Sequence, residues 1–296
     1  MLKIKNINKS YSGLKVVDNI SFNIERGKIT GLLGPNGAGK TTSIRMIMDI
    51  IKADEGEILL DGQAVDIRNM PGYLPEDRGL YQKTGIAETL KYFAALRSIN
   101  SKESDEKIGY WLDRFSLSGQ EKDKIATLSK GNQQKIQLII ALFSDPDFLI
   151  LDEPFTGLDP ANQQLVREIM QEYIEQDKAI LLSTHQMEIA EKLCDQIVLI
   201  HKGQIILNDE IGNIKKQFKS DDLLFDIIFS NTVAPIPSLL EDQTYGKDVL
   251  KGKIPQGKNI QEIIDSLNKI GQINSFYNHT PSLEEIFLQL TRANNE

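Results

Sequence analysis

The sequence predicts an α/β protein with a buried parallel sheet, interrupted by a helical insertion and followed by a small α+β domain. Three observations predict it. Ile29 to Leu33 is a short apolar run that leads through a glycine-rich loop into a helical stretch, Thr42 to Ile51. Phe148 to Leu151 and Ala179 to Leu182 are further short apolar runs, of the length and bounding that suit strands buried on both faces. Residues 84–118 look helical, with Ile108, Trp111, Leu112 and Phe115 at core spacing, and interrupt the run of strands.

The loop after the first strand reads Gly34-Pro35-Asn36-Gly37-Ala38-Gly39-Lys40-Thr41-Thr42. This fits the G-x-x-x-x-G-K-[ST] pattern, with Gly34, Gly39, Lys40 and Thr41 in place. Its glycines let the backbone turn so that successive N–H groups point at phosphates. The start of the following helix adds partial positive charge, and Lys40 adds a full one. The Thr41 hydroxyl is placed to ligate Mg²⁺. ATP and Mg²⁺ are the expected ligands.

The run Phe148 to Leu151 ends in Asp152-Glu153-Pro154. Carboxylates at the C-terminal end of a central strand sit where open α/β sheets place ligands. Asp152 is the candidate carboxylate on the Mg²⁺ side. Glu153 is the candidate general base for an attacking water. His185 follows the strand Ala179 to Leu182, where a ring N–H could hold a γ-phosphate and the water in line.

A second constellation lies at Leu128 to Lys135, LSKGNQQK. Lys130 to Phe143 has a helical pattern, with Ile136, Ile139, Ile140 and Phe143 on one face. Ser129 is an N-cap type residue before it, and Gly131 opens backbone there, a combination suited to an anion. LSKGNQQK resembles the signature segment of ABC-type ATPases. Gly157-Leu158-Asp159-Pro160 resembles their D-loop, Leu182-Ser183-Thr184-His185 their switch-histidine segment, and Tyr11 in KSYSGLKVVDNISF the aromatic residue that stacks on adenine. Order and spacing agree over about residues 1–212. The resemblance implies a P-loop NTPase core, a helical subdomain inserted at about 77–145, and hydrolysis of ATP to drive transport. It also implies a head-to-tail dimer, homo- or heterodimeric, in which Ser129 and Gly131 reach the nucleotide held by Lys40 of the other subunit. Asp159 serves equally as a helix N-cap before Pro160.

The chain departs from the family in two places. Lys130 stands where the usual LSGGQ has its first glycine, and Asn132 where it has glutamine. Near residue 76 the family carries a glutamine that senses Mg²⁺. Here the chain reads Gly72-Tyr73-Leu74-Pro75-Glu76-Asp77-Arg78-Gly79-Leu80. Spacing from Tyr73 assigns the glutamine's place to Glu76, and Gln82 is the alternative. A carboxylate is a hard ligand, so contact with Mg²⁺ survives the exchange.

Length and composition bound the rest. With 296 residues, two domains are expected. No stretch approaches 18 uninterrupted apolar residues, and the start lacks the apolar core of a signal peptide. The single cysteine, Cys194, excludes an intrachain disulfide and suits packing. A strand pair is expected at Val198 to Ile200 and Gln204 to Leu207, and a helix and linker over 208–220. Residues 221–296 read as a small α+β accessory domain. Its strands are expected at Leu223 to Phe229 and Val249 to Ile254, with a helix through Ile260, Ile263, Ile264 and Leu267. Ser282 and Glu285 form a capping box before a last helix. PSLEEIF resembles the ending of the separate ATP-binding subunits of ABC-2 type transporters, a group linked to export. The expected partner is thus a transmembrane permease, with the chain cytoplasmic and peripheral on the inner face of the cell membrane. The alternative is a soluble ABC ATPase acting on nucleic acid or the ribosome. A net charge of −8 argues against a nucleic-acid partner, as does the absence of coiled-coil heptads and of a second phosphate loop.

Overall fold

The computed structural model describes residues 1–64, 71–77, 79–218, 223–229, 241–245, 249–254, 260–269 and 272–293. They form two compact units, Met1–Ile211 and Gly212–Glu296. In the first, β1 (Leu2–Tyr11) and β2 (Leu14–Ile24) make an antiparallel hairpin, followed by β3 (Ile29–Leu33) and α1 (Lys40–Ile47). Then come β4 (Glu55–Leu60), β5 (Gln63–Ala64) and β6 (Gly72–Leu74). Three helices follow, α2 (Ile86–Leu96), α3 (Ser101–Arg114) and α4 (Lys130–Leu142). The unit closes with β7 (Phe148–Asp152), α5 (Pro160–Glu175), β8 (Ala179–Thr184), α6 (Met187–Leu193), β9 (Gln196–His201) and β10 (Gln204–Glu210).

A six-stranded sheet in the order β10-β9-β3-β8-β7-β6 is the frame of the site. All its pairings are parallel except β9 with β10. The C-terminal ends of β6, β7, β8 and β3, four neighbours, therefore lie along one edge. Leu74 sits beside Leu151, Asp152 beside Ser183, and Leu33 beside Thr184. Every residue of β3, β7 and β8 is buried, as two-faced burial of a parallel sheet requires.

The second sheet, β2-β1-β4-β5, is antiparallel. Ile4, Ile20 and Phe22 from it share one buried cluster with Ile44 and Ile47 of α1 and with Leu32, Leu181 and Val198 of the parallel sheet. Burying each such side chain stabilises the fold by about 1.5–3 kcal/mol relative to exposure. This sheet is not legible as a clean alternation. Its β1–β2 pairing slips register three times, and Asn6 and Asn19 adopt left-handed backbone with φ of 49° and 53°.

Several boundaries correct the sequence expectations. The helix expected from Thr42 to Ile51 begins at Lys40 and ends at Ile47, because Asp49 takes a left-handed φ of 55°. The helical stretch 84–118 is two helices. Ser98 turns the chain with φ 58°, and the Asn100 side chain accepts from Glu103 N at 3.0 Å to start α3. Trp111 stays half-buried against Phe115, with the Arg114 guanidinium over its ring. α4 is buried over most of its circumference rather than on one face. Its polar side chains cap loop carbonyls: Gln134 donates to Pro154 O, Lys135 to Phe115 O and Gln137 to Asp77 O. Residues 208–210, expected in a helix and linker, extend β10, and α7 (Ile211–Gln217) follows.

In the second unit β11 (Leu223–Phe229), β12 (Glu241–Tyr245), β13 (Val249–Ile254) and β14 (Ile273–His279) form an antiparallel sheet in the order β12-β13-β11-β14. The helices α8 (Ile260–Asn268) and α9 (Leu283–Ala293) complete it, and Ile227, Leu250, Ile263, Leu267, Leu283 and Ile286 are buried. The capping box is formed: Ser282 N donates to Glu285 Oε2 at 2.7 Å and Glu285 N to Ser282 Oγ at 3.2 Å. β12 and β14 were not expected from the sequence.

Candidate nucleotide site

The site is a cleft of about 280 Å³ at the C-terminal edge of the parallel sheet, lined by Val16, residues 36–42, Glu76, Asp152 and Glu153. Three segments far apart in sequence, residues 36–42, Glu76 and Asp152–Glu153, meet there because β3, β6 and β7 run the same way. The phosphate loop is braced from outside. Gly34 passes so near the chain that an added Cβ would lie 2.2 Å from Ile200 O. Gly39 has φ 107°, and its Cβ would lie 2.8 Å from Val16 O. Gly203 N donates to Ala38 O at 3.0 Å, and Asp18 N to Gly203 O at 2.8 Å.

Lys40 is 6% exposed, and its ammonium donates to Gly34 O at 2.7 Å and Pro35 O at 3.2 Å. Burial pushes its pKa down, while Glu153, Asp152 and Glu76 pull it back up. Asp152 is 2% exposed, and burial pushes its carboxyl up. Ser183 is near enough to oppose that shift, Glu76 and Glu153 add to it, and Lys40 opposes it. Neither Asp152 oxygen has a hydrogen bond of normal geometry, and neither does Ser183 Oγ. A carboxylate held this way fits a hard cation. Among the described residues no cluster of three His, Cys, Asp or Glu side chains could hold a metal by itself. The donor set that fits Mg²⁺ is Asp152, the Thr41 hydroxyl, Glu76 and phosphate oxygens.

Glu153 is held differently. Its backbone is left-handed, φ 52°, and its N–H donates to Ser183 O at 2.9 Å. Its carboxylate accepts from Thr184 Oγ1 at 3.1 Å and from His185 N at 2.9 Å, with His185 Nδ1 at 2.6 Å. A carboxylate only accepts, so Nδ1 carries the proton in that contact. Nε2 then donates to another group only when the ring holds both protons. A strained backbone fixed by three contacts is an arrangement found where a side chain must point one way.

The remaining expected residues lie outside this cleft. Tyr11 closes β1 as an exposed residue, with the Lys9 ammonium 5.8 Å from its ring centroid. Ser129 caps α4 by accepting from Asn132 N at 3.2 Å. Gly131 packs against the loop after Glu153: an added Cβ would lie 3.3 Å from Gly157 O. Asp159 caps α5, accepting from Asn162 N at 2.9 Å, with Pro160 next. Gln82 lies away from the cleft and donates to Leu80 O at 3.2 Å. The sequence reading missed Val16, which reaches the cleft from β2, and the hydroxyl of Thr184. A hydroxyl at the end of a buried strand, one residue before His185, is the available signal for Thr184.

A phosphate loop after β3, and a buried cation-ready carboxylate and a clamped glutamate at the end of β7, on one edge of the same parallel sheet, define a P-loop nucleoside triphosphatase. The comparisons narrow this. The family described as "ABC transporter" matches residues 17–156, and that described as "ATP-binding protein DrrA1-3-like, C-terminal domain" matches residues 210–291. The uncharacterized ABC transporter ATP-binding protein YhaQ of Bacillus subtilis (strain 168) is 38% identical over 302 residues, 99% of each chain. The ABC transporter ATP-binding protein NatA of the same organism is 35% identical, over 71% of this chain and 88% of its own. A solved structure described as the ATP binding subunit of an ABC transporter superposes with a TM-score of 0.69 at 30% identity, over 74% of this chain and 93% of that one. The chain belongs to the ATP-binding proteins of ABC transporters and is an ATPase of that family. No helix among the described residues is long and apolar enough to cross a membrane.

Proposed function

We propose that this chain hydrolyses ATP to power a separate transmembrane permease, in the export direction, as a head-to-tail dimer of ATP-binding subunits. The observation that carries this reading is the division of parts. One cleft gathers the phosphate loop, Asp152 and Glu153, while Ser129 and Gly131, at the start of α4, do not line it. A helix start suited to an anion that does not line the cleft of its own phosphate loop is explained by a second chain. The family match and the lack of a spanning helix among the described residues support a separate permease.

Within one site, backbone N–H groups of residues 36–42 and the Lys40 ammonium hold the β- and γ-phosphates. Tyr11 stacks on adenine. Thr41, Asp152 and Glu76 hold Mg²⁺, which when bound neutralises charge on the phosphates. Glu153 takes a proton from water as the water oxygen bonds to the γ-phosphorus. The bond from that phosphorus to the β–γ bridging oxygen breaks, leaving ADP and phosphate. Thr184 and His185 keep the Glu153 carboxylate aimed. Ser129, Gly131 and Asp159 act on the nucleotide of the facing subunit. The chain then sits in the cytoplasm, against the inner face of the cell membrane through the permease.

Purification of the native protein from solubilised membranes tests this. A polytopic membrane subunit should accompany the chain, and its presence should change the ATPase rate. Recovery of the chain with ribosomes or nucleic acid, and without a membrane subunit, would overturn the reading.

A further inference from the structure

The charged side chains lining the cleft are Lys40, Glu76, Asp152 and Glu153, a formal balance of one positive and three negative charges. Lys40 does not neutralise a carboxylate directly. Its ammonium is spent on the carbonyls of Gly34 and Pro35, and it makes no ion pair among the described residues. Glu153 is engaged by Thr184 and His185. That leaves Asp152, buried with both oxygens unpartnered, and Glu76, an exposed carboxylate on the same cleft. These two residues lie at the ends of neighbouring strands, β6 and β7. A glutamine at position 76 would reduce the carboxylates from three to two. With glutamate the cleft repels a polyphosphate in the absence of a cation, and its net charge of −2 equals that of one divalent ion.

We infer that the nucleotide-free cleft binds a divalent cation, Mg²⁺ or Mn²⁺, through Glu76 and Asp152, so that the metal is loaded before ATP. This rests on the proposed role of Glu76 beside the Mg²⁺ of the hydrolytic site and extends it to the empty enzyme. Two protein carboxylates leave room for several waters, the coordination Mg²⁺ keeps by preference. The cation in turn removes the repulsion, so nucleotide affinity rises with it even where the nucleotide analogue carries no metal of its own. Glu76 contributes a charged oxygen to that cation, and an amide at this position supplies an oxygen without the charge.

The test is Mn²⁺ titration of the nucleotide-free full-length chain, with free Mn²⁺ read by electron paramagnetic resonance. One site per chain is expected, competed by Mg²⁺. Glu76→Gln and Asp152→Asn should each weaken it by about tenfold or more, while Gln82→Ala should leave it unchanged. Circular dichroism and a thermal melt confirm that each variant is folded. No stoichiometric binding by the parent, or equal binding by parent and Glu76→Gln, overturns the inference. The Mg²⁺ dependence of ATPase rate in the same variants separates the two ideas. If Glu76→Ala shifts that dependence while the empty parent binds no Mn²⁺, Glu76 serves the metal only with ATP present, and loading before ATP is refuted. If Gln82→Ala shifts it instead, the role of Glu76 falls as well.

Discussion

Replacing Glu153 by glutamine separates chemistry from architecture, because the two effects have different sizes. The carboxylate accepts from Thr184 Oγ1, His185 N and His185 Nδ1. An amide keeps one acceptor oxygen, which can still receive both His185 donors, and its NH₂ can donate to the Thr184 hydroxyl. The loss is the ionic character of those bonds. Hydrogen bonds to charged groups contribute about 1.5–3 kcal/mol and neutral ones about 0.5–1.5, so each of the three contacts loses about 1 kcal/mol and the clamp about 3 kcal/mol. Against this, removing one negative charge beside Asp152 is favourable. The φ of 52° is equally strained for either residue. At about 2–4 °C per kcal/mol, and with the charge relief offsetting part of the loss, the melting temperature should fall by no more than about 10 °C. Turnover should fall about 10²–10⁴-fold, which is about 2.7–5.5 kcal/mol of barrier at 1.36 kcal/mol per tenfold. ATP binding should persist, and the variant should accumulate as an ATP-bound dimer seen by light scattering. Steady-state phosphate release and a thermal melt read both quantities. Hydrolysis at the parent rate would refute Glu153 as base. A fall of more than about 10 °C in melting temperature would show that lost turnover reported damage rather than chemistry.

Lys40→Ala should abolish measurable binding of a fluorescent ATP analogue, since the loop loses its one full positive charge; unchanged affinity would mean the nucleotide lies elsewhere. Asp152→Asn should stabilise the nucleotide-free protein by about 1 kcal/mol, or about 2–4 °C. The sign follows from the raised carboxyl pKa: the folded state binds the proton more tightly than the unfolded one, so ionised Asp152 destabilises at neutral pH. The advantage of the variant should shrink as pH falls through the raised folded value towards the ordinary Asp range, and a melt at constant high pH showing no gain would contradict it. Mixing Lys40→Ala with Ser129→Arg chains places both lesions in one composite site and none in the other. Verified heterodimers should recover hydrolysis that neither homodimer has, and ATPase assays finding none would count against a shared site.

Much of the site was legible because its residues follow apolar runs. Ile29–Leu33, Phe148–Leu151 and Ala179–Leu182 announce buried strands, and chemistry-bearing residues sit at their ends. Spacing pointed to Glu76 over Gln82, and Glu76 lines the cleft with Asp152 while Gln82 does not. What was not legible depends on contacts between distant segments. The Glu153–His185 contact spans 32 residues and needs β7 and β8 in register. The antiparallel sheet was hidden by bulges at Asn6 and Asn19, and β14 by polar residues inside a strand, as in Asn274-Ser275. The end of α1 turned on Asp49, a residue whose left-handed conformation no periodicity reveals.

The bracing of the phosphate loop bears on how the chain is made. The loop is complete as a sequence by Thr42. Its shape, however, relies on Ile200, against which Gly34 packs, and on Gly203, which bonds Ala38 and Asp18. β3 itself lies between β8 and β9, whose residues come 150 or more positions later. Closing contacts of that separation costs chain entropy and comes late. A nascent chain released from the ribosome only as far as α5 carries every residue of the loop and all three carboxylates of the cleft, yet has no socket. The socket is complete only with the β9–β10 hairpin, Gln196–Glu210, well after the loop and its carboxylates have been made.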